Sequence, residues 1–219
     1  KEAEKLGYKM RGHLKMKHGD YIGATIEFKE GIKSDSSDYD LFYNRALALE
    51  QLKNFKAAII DFDVVLNHRN SDSEALYHKA WCSFQLGDTI GSAVLCDSSL
   101  SISSYNAFAN NLKGQIKSAL GKHYEAIFSY NKAISMNSGQ IQFIYNRAIA
   151  YVLVKNWNPA LLDLNKTIAA APKFGEAYYK RALCYFELDK KEEALIDLKE
   201  AEKLGYKPAS EELSRNLAL

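Results

Sequence analysis

Five histidines, three cysteines and 27 acidic side chains could do chemistry in this chain of 219 residues, and their spacing assembles none of it. His13, His18, His68, His78 and His123 form no complete metal-ligand set with Cys82, Cys96 and Cys184, and no C-x-x-C or H-E-x-x-H occurs. A serine hydrolase would show G-x-S-x-G and a nucleotide enzyme a glycine-rich phosphate loop; neither is present. Asp61 and Asp63 stand two apart on an expected helix, so their side chains point in different directions and cannot face a common substrate. They read as solvated or capping charges. The reading is therefore of a non-enzyme with no catalytic residue, metal site or cofactor.

What remains is recognition chemistry, carried by 14 tyrosines, 10 phenylalanines, two tryptophans and a set of side-chain amides. Aromatic groups beside a few hydrogen-bonding groups suit a peptide. The elements that must position them repeat every 34 residues. Small residues mark the period: Gly12, Ala46, Ala80, Gly114, Ala148 and Ala182 form one series, and Ala24, Ala58, Ser92, Ala126, Ala160 and Ala194 another. A period in this range denotes a stacked array, which builds surfaces for binding.

Six units follow, at 5–38, 39–72, 73–106, 107–140, 141–174 and 175–208, each reading as two amphipathic helices joined by a short turn. Polar or glycine pairs such as Gly87-Asp88 and Lys155-Asn156 mark the turns. In the fifth unit, Asn158 before Pro159 reads as a helix cap followed by proline at the first helical position. The small residues, eighth and twentieth in each unit, let paired helices approach; Phe28, Phe62, Cys96, Tyr130, Leu164 and Leu198, at the twenty-fourth, fill between layers. The third unit carries serine at Ser92, Ser99 and Ser104 and is expected to be the softest layer. A last helix over 209–219, with Ser210 as its cap, would cover the final apolar face through Leu213, Leu217 and Leu219.

This pattern resembles the tetratricopeptide repeat family, whose preferences are a large apolar residue at position 4, Gly or Ala at 8, an aromatic at 11, Ala at 20, an aromatic at 24, Ala at 27 and Pro at 32. The resemblance covers 5–208; the departures are Lys15, Ser83 and Lys117 at position 11 and proline at position 32 only at Pro172. It implies one all-α domain over 1–219: a right-handed α-solenoid of six helix pairs plus a capping helix. It also implies a concave groove lined by the first helix of each pair. On this chain the groove residues become Tyr43, Asn44, Tyr77, His78, Trp81, Phe84, Tyr145, Asn146, Ile149, Tyr179, Lys180, Leu183 and Phe186. The family's carboxylate clamp for chaperone tails does not transfer. The matching positions read Lys9, His13, Asn44, Glu74, His78 and Asn111, Gln115, Asn146, Glu176, Lys180, with Glu74 and Glu176 where a cation must meet the tail.

The expected function is a non-catalytic scaffold that binds a protein or peptide partner. The alternative is a structural segment of a longer array, or self-association through an uncovered N-terminal face; a targeting segment of a larger enzyme is a third reading. With 29 basic against 27 acidic residues, net charge +2 gives no reason to expect nucleic acid. No apolar run approaches the roughly 18 residues a membrane span needs, so insertion is not expected. Odd, scattered cysteines point to a reducing, cytoplasmic setting. The chain begins at Lys1 rather than Met, which reads as a cut N-terminus from which a signal could have been lost.

Two further regularities stand in the sequence. Units three apart share residues (Tyr43-Asn44-Arg45-Ala46 with Tyr145-Asn146-Arg147-Ala148, Cys82 with Cys184), consistent with duplication of a three-unit block. The nonapeptide KEAEKLGYK occurs at 1–9 and 199–207, its second copy reading as a helix end capped by Gly205 and its first as the tail of an upstream helix.

Overall fold

The computed structural model describes residues 2–217, with side chains over 7–215. Among the described residues there are thirteen α-helices and no strand: α1 Glu2–Lys17, α2 Tyr21–Ser34, α3 Tyr39–Gln51, α4 Phe55–His68, α5 Ser73–Gln85, α6 Thr89–Ile102, α7 Ala107–Ala119, α8 His123–Met136, α9 Ile141–Leu153, α10 Trp157–Ala170, α11 Gly175–Phe186, α12 Lys191–Lys203 and α13 Lys207–Leu217. The fold is all-α and built from helix pairs. Two compact units divide it, Lys1–Tyr105 with α1–α6 and Asn106–Leu219 with α7–α13.

The helices start and stop for local reasons. Asp20, Asp72, Asp88 and Asn106 accept hydrogen bonds from the backbone N–H three residues on, satisfying orphan donors at the starts of α2, α5, α6 and α7. The turn inside every pair uses one residue with positive φ: Gly19, Lys53, Gly87, Gly121, Lys155 and Asp189. The next N–H then reaches back to the last turn, as in Asn156 N to Tyr151 O at 2.9 Å and Asp88 N to Ser83 O at 3.0 Å.

Each pair closes on the small positions. Ala46, Ala58, Ala148 and Ala160 are fully buried, as are the large residues packed beside them, Phe62 and Leu164. A β-carbon on Gly12 would fall onto the Phe28 ring, and one on Gly114 onto Tyr130, so these two pairs need glycine where the others take alanine. In the third pair the buried serines are satisfied: Ser92 Oγ donates to Ala80 O at 2.8 Å and Ser99 Oγ to Ser73 O at 2.7 Å. The third seam is thus joined by hydrogen bonds across helices, each worth about 1 kcal/mol net.

Several local expectations are corrected. Asp61 is not solvated; it is 2% exposed and accepts two hydrogen bonds from Arg45, at 2.7 and 2.6 Å. The same bidentate pair recurs as Arg147–Asp163 and Arg181–Asp197, sixteen residues apart each time, and Arg11–Glu27 occupies the same two positions at 2.8 Å. Asp63 instead pairs with Lys79. Asn156, not Asn158, occupies the N-cap position of α10, without a side-chain cap hydrogen bond, which places Pro159 at the third helical residue; no intrahelical donor is needed there, so proline is tolerated. α13 starts at Lys207, so Ser210 lies inside it rather than capping it, and its backbone carbonyl accepts from Ser214 Oγ at 2.9 Å. Leu213 is buried with Ala209 against Ala194 and Leu198; the Leu217 side chain and Leu219 lie outside the described residues.

The repeated nonapeptide takes two structures. Its second copy ends α12 and turns at Gly205, φ +82°. Its first copy, from Glu2 onward, runs straight through α1 without a break, so Gly7 does not cap a helix end. Tertiary setting, not the nine residues, decides whether the glycine terminates the helix.

Candidate functional site

Within each unit the first helices of successive pairs touch one another: α3 meets α1 and α5, and α9 meets α7 and α11. Among the described residues the second helices make no comparable contact among themselves. All thirteen residues expected in the groove lie on first helices: Tyr43 and Asn44 on α3, Tyr77, His78, Trp81 and Phe84 on α5, Tyr145, Asn146 and Ile149 on α9, and Tyr179, Lys180, Leu183 and Phe186 on α11.

None of the thirteen is freely exposed. Twelve are partly buried and Tyr145 is buried, at 6%. In the first unit Tyr43, Tyr77 and His78 form one network. Tyr43 and Tyr77 meet the His78 ring edge-on at 6.2 and 4.8 Å, while His78 stacks on Phe62 at 5.8 Å. His78 Nδ1 lies 2.8 Å from Glu50, which ties α5 to α3. Burial, reinforced by Glu74, Asp72 and Glu50, pushes the Tyr43 phenol up to about 12, so it stays a neutral donor at any physiological pH. Burial likewise pushes the Cys82 thiol up to about 12, which leaves it a poor nucleophile.

The amides are already engaged. Asn44 donates to Asp40 O at 2.7 Å and faces His13 Nε2 at 2.9 Å; Asn146 donates to Asn111 Oδ1 at 2.9 Å and accepts from Gln142 at 3.0 Å. Each side-chain amide nitrogen retains a second N–H for a partner. The Tyr145 hydroxyl is buried without a hydrogen-bond partner among the described residues, and burial, reinforced by Glu176, pushes its pKa upward. Lys9, a clamp position, is held by Asp40 at 2.6 Å, and Asp40 is shared with Arg69 at 2.6 Å.

Two features escaped the sequence reading. Trp157, the first residue of α10, joins Val152, Leu183 and Phe186 around an open depression of about 380 Å³. On the second helices an apolar side chain stands exposed at one position of every pair: Ile26 54%, Ile60 65%, Val94 63%, Phe128 62%, Leu162 63% and Ile196 67%. Its signal is the 34-residue spacing itself, hidden because apolar residues at helical period are first taken as core. Among the described residues no cluster of three or more His, Cys, Asp or Glu could hold a metal, and no helix is long and apolar enough to cross a membrane.

Models of the tetratricopeptide repeat family match residues 9–73, 109–140 and 176–203. The chain is 34% identical over 106 residues to mitochondrial import receptor subunit TOM70 of Rattus norvegicus, a match covering 46% of this chain and 17% of that protein. The chain thus spans less than a fifth of that curated relative. Among solved structures, the APC/C hetero-tetramer Cut9-Hcn1 superimposes over 96% of this chain and 42% of the other with TM-score 0.86 at 16% identity. YrrB, described as a tetratricopeptide repeat protein with an unusual peptide-binding site, matches 81% of this chain and 91% of its own with TM-score 0.67 at 17% identity. At such identities the likeness shows the fold alone.

Proposed function

Because the chain belongs to the tetratricopeptide repeat family, whose fold is typical of protein–protein interaction scaffolds and generally non-catalytic, we propose that it is a non-catalytic scaffold whose first-helix faces capture a peptide segment of a protein partner. One observation carries the reading. The first-helix face of each unit holds aromatic and aliphatic groups that are partly buried, hence rigid, yet still reachable: Trp81 and Phe84 in one, Ile149, Leu183 and Phe186 in the other. Side chains already held in place lose little entropy on binding. Asn44 and Asn146 supply their second N–H to the peptide backbone. Tyr145 acts from beneath, as support for Ile149, rather than by contact. Three free, buried thiols suit a reducing compartment such as the cytoplasm.

The test is affinity capture with the full chain, partners identified by mass spectrometry, and Trp81→Ala and Phe186→Ala as parallel baits. Each replacement should weaken capture of a partner seated on its own unit by roughly 2 kcal/mol, about thirtyfold, with helicity unchanged. Partners retained undiminished by both variants would remove the groove from the function.

A further inference from the structure

The depression beside Trp157 differs in charge from two other open depressions, beside Ile60 and beside Phe128. Val152 of α9, Trp157 of α10, and Leu183 and Phe186 of α11 give it an apolar lining, and its two remaining lining residues are both glutamates, Glu187 at the end of α11 and Glu212 of α13. Among the described residues no lysine or arginine lines it. In the first unit the depression lined by Ile26, Leu49 and Ile60 contains Lys29, Arg45 and Asp61, the last two already paired with each other. The open depression beside Phe128 holds Lys113, Lys117 and Glu125. Only the Trp157 depression, of these three, couples an apolar lining to carboxylates alone.

The negative field extends beyond the lining. Glu212 and Glu211 help hold the Tyr179 phenol above its ordinary value, after burial and against Arg215, and Glu187 adds to the burial that raises the Cys184 thiol, against Lys180. Arg215 lies 3.6 Å from Glu212 with its own side chain 72% exposed, so that pair is loose and solvent-screened. At about 380 Å³ the depression sits at the small end of ligand sites, roughly 300–1,000 Å³, which suits one or two apolar side chains of a longer segment.

We propose that this depression receives an apolar side chain of a cationic peptide, such as Leu, Met or Phe, with Lys or Arg near enough in the same peptide to reach Glu187 and Glu212. The proposal rests on reading the first-helix face as peptide-binding and adds the chemical class of the peptide. Complementary charge steers such a peptide and fixes its register, whereas an acidic tail would set carboxylate against carboxylate.

The experiment uses the full chain carrying Trp81→Phe, which leaves Trp157 as the single tryptophan and its emission as a reporter of the depression. Three synthetic peptides share one apolar core and differ in flanking residues, Lys, Gln or Glu. The Lys-flanked peptide should change Trp157 emission saturably and bind about tenfold tighter than the Gln-flanked one. Glu187→Gln with Glu212→Gln should remove most of that advantage, as should raising salt to about 0.5 M, where charges are screened within a few ångströms. Glu-flanked peptide binding as well as Lys-flanked, or a Lys-peptide affinity untouched by the double substitution, would overturn the cationic assignment and leave the groove reading standing. No response from any of the three would overturn the assignment of this depression, while the capture experiment with Trp81→Ala and Phe186→Ala decides the groove reading separately. If the double variant loses helicity, Glu187→Gln alone, on an exposed side chain, carries the same comparison.

Discussion

The third and fifth helix pairs share a period and a shape but hold their two helices together by different means. In the fifth, Arg147 grips Asp163 with two hydrogen bonds, at 2.7 and 2.8 Å, over a seam of Ala160 and Leu164. In the third, the corresponding residues are Lys79 and Leu95, so no such grip forms; Lys79 reaches out to Asp63 of the preceding pair, and Ser92 and Cys96 occupy the seam. A repeat thus fixes helix length and close approach through small residues, while leaving open whether the seam is polar, ionic or apolar.

The largest break in this comparison should come from the ion pairs. Asp163 is 3% exposed, so Arg147→Ala strands a buried carboxylate and should cost about 3 kcal/mol in urea unfolding. Lys79→Ala removes a pair whose acidic side chain is 47% exposed, and should cost less than about 1 kcal/mol. Equal losses would mean that the fifth seam is no more ionic in effect than the third. The combined replacement Arg147→Met with Asp163→Leu should recover most of the loss, because neither charge then remains buried alone.

These pairs also mark how far the sequence could be read. The period, the small positions and the buried residues Phe28, Phe62, Leu164 and Leu198 were legible because each is a local rule repeated six times. The role of Asp61 was not, since its partner Arg45 stands sixteen residues away on the other helix, outside any i,i+4 rule. A signal did exist. Arginine at the seventh position accompanies an acid at the twenty-third in pairs one, two, five and six, and both are absent from pairs three and four. The types of groove residue were legible from the resemblance; that Asn44 and Asn146 are already bonded, and that Tyr145 lies beneath the surface, depends on neighbouring pairs and could not be.

A smaller effect separates two hydroxyls at one repeat position. Ser99 donates across helices to Ser73 O, whereas Thr167 donates within its own helix to Asp163 O at 2.8 Å. Ser99→Ala removes a hydrogen bond that ties α6 to α5. Thr167→Val keeps its shape and frees only a carbonyl four residues back. Ser99→Ala should therefore lower stability by about 1 kcal/mol more than Thr167→Val, read from urea midpoints at constant slope. The reverse order would show that the third seam depends on packing rather than on its hydrogen bonds.

Whether the two pairs belong to one unfolding domain can be read with the two tryptophans, Trp81 on α5 and Trp157 on α10. One domain over 1–219 predicts coincident urea transitions for the single-tryptophan variants Trp157→Phe and Trp81→Phe. Midpoints that separate beyond the shift produced by the replacements themselves would instead make the two units independent, with the less stable tryptophan identifying the weaker one.

The smallest effect lies in the turns, where the pairs differ by one residue in the same conformation. Gly87 has φ +86° and Lys155 φ +57°, and each is followed by an N–H that closes back onto the preceding helix. A β-carbon on Gly87 would meet nothing within 4 Å, so the position resists a side chain through its backbone alone. A left-handed conformation costs a non-glycine residue roughly 1–2 kcal/mol. Part of that is offset because glycine loses more freedom on folding. Lys155→Gly should accordingly stabilise the protein by about 0.5–1 kcal/mol and Gly87→Lys destabilise it by a similar amount, seen as opposite shifts of the thermal midpoint. If both replacements destabilise, the Lys155 side chain must contribute contacts that outweigh its backbone strain, and the fifth turn would then be specialised rather than tolerated.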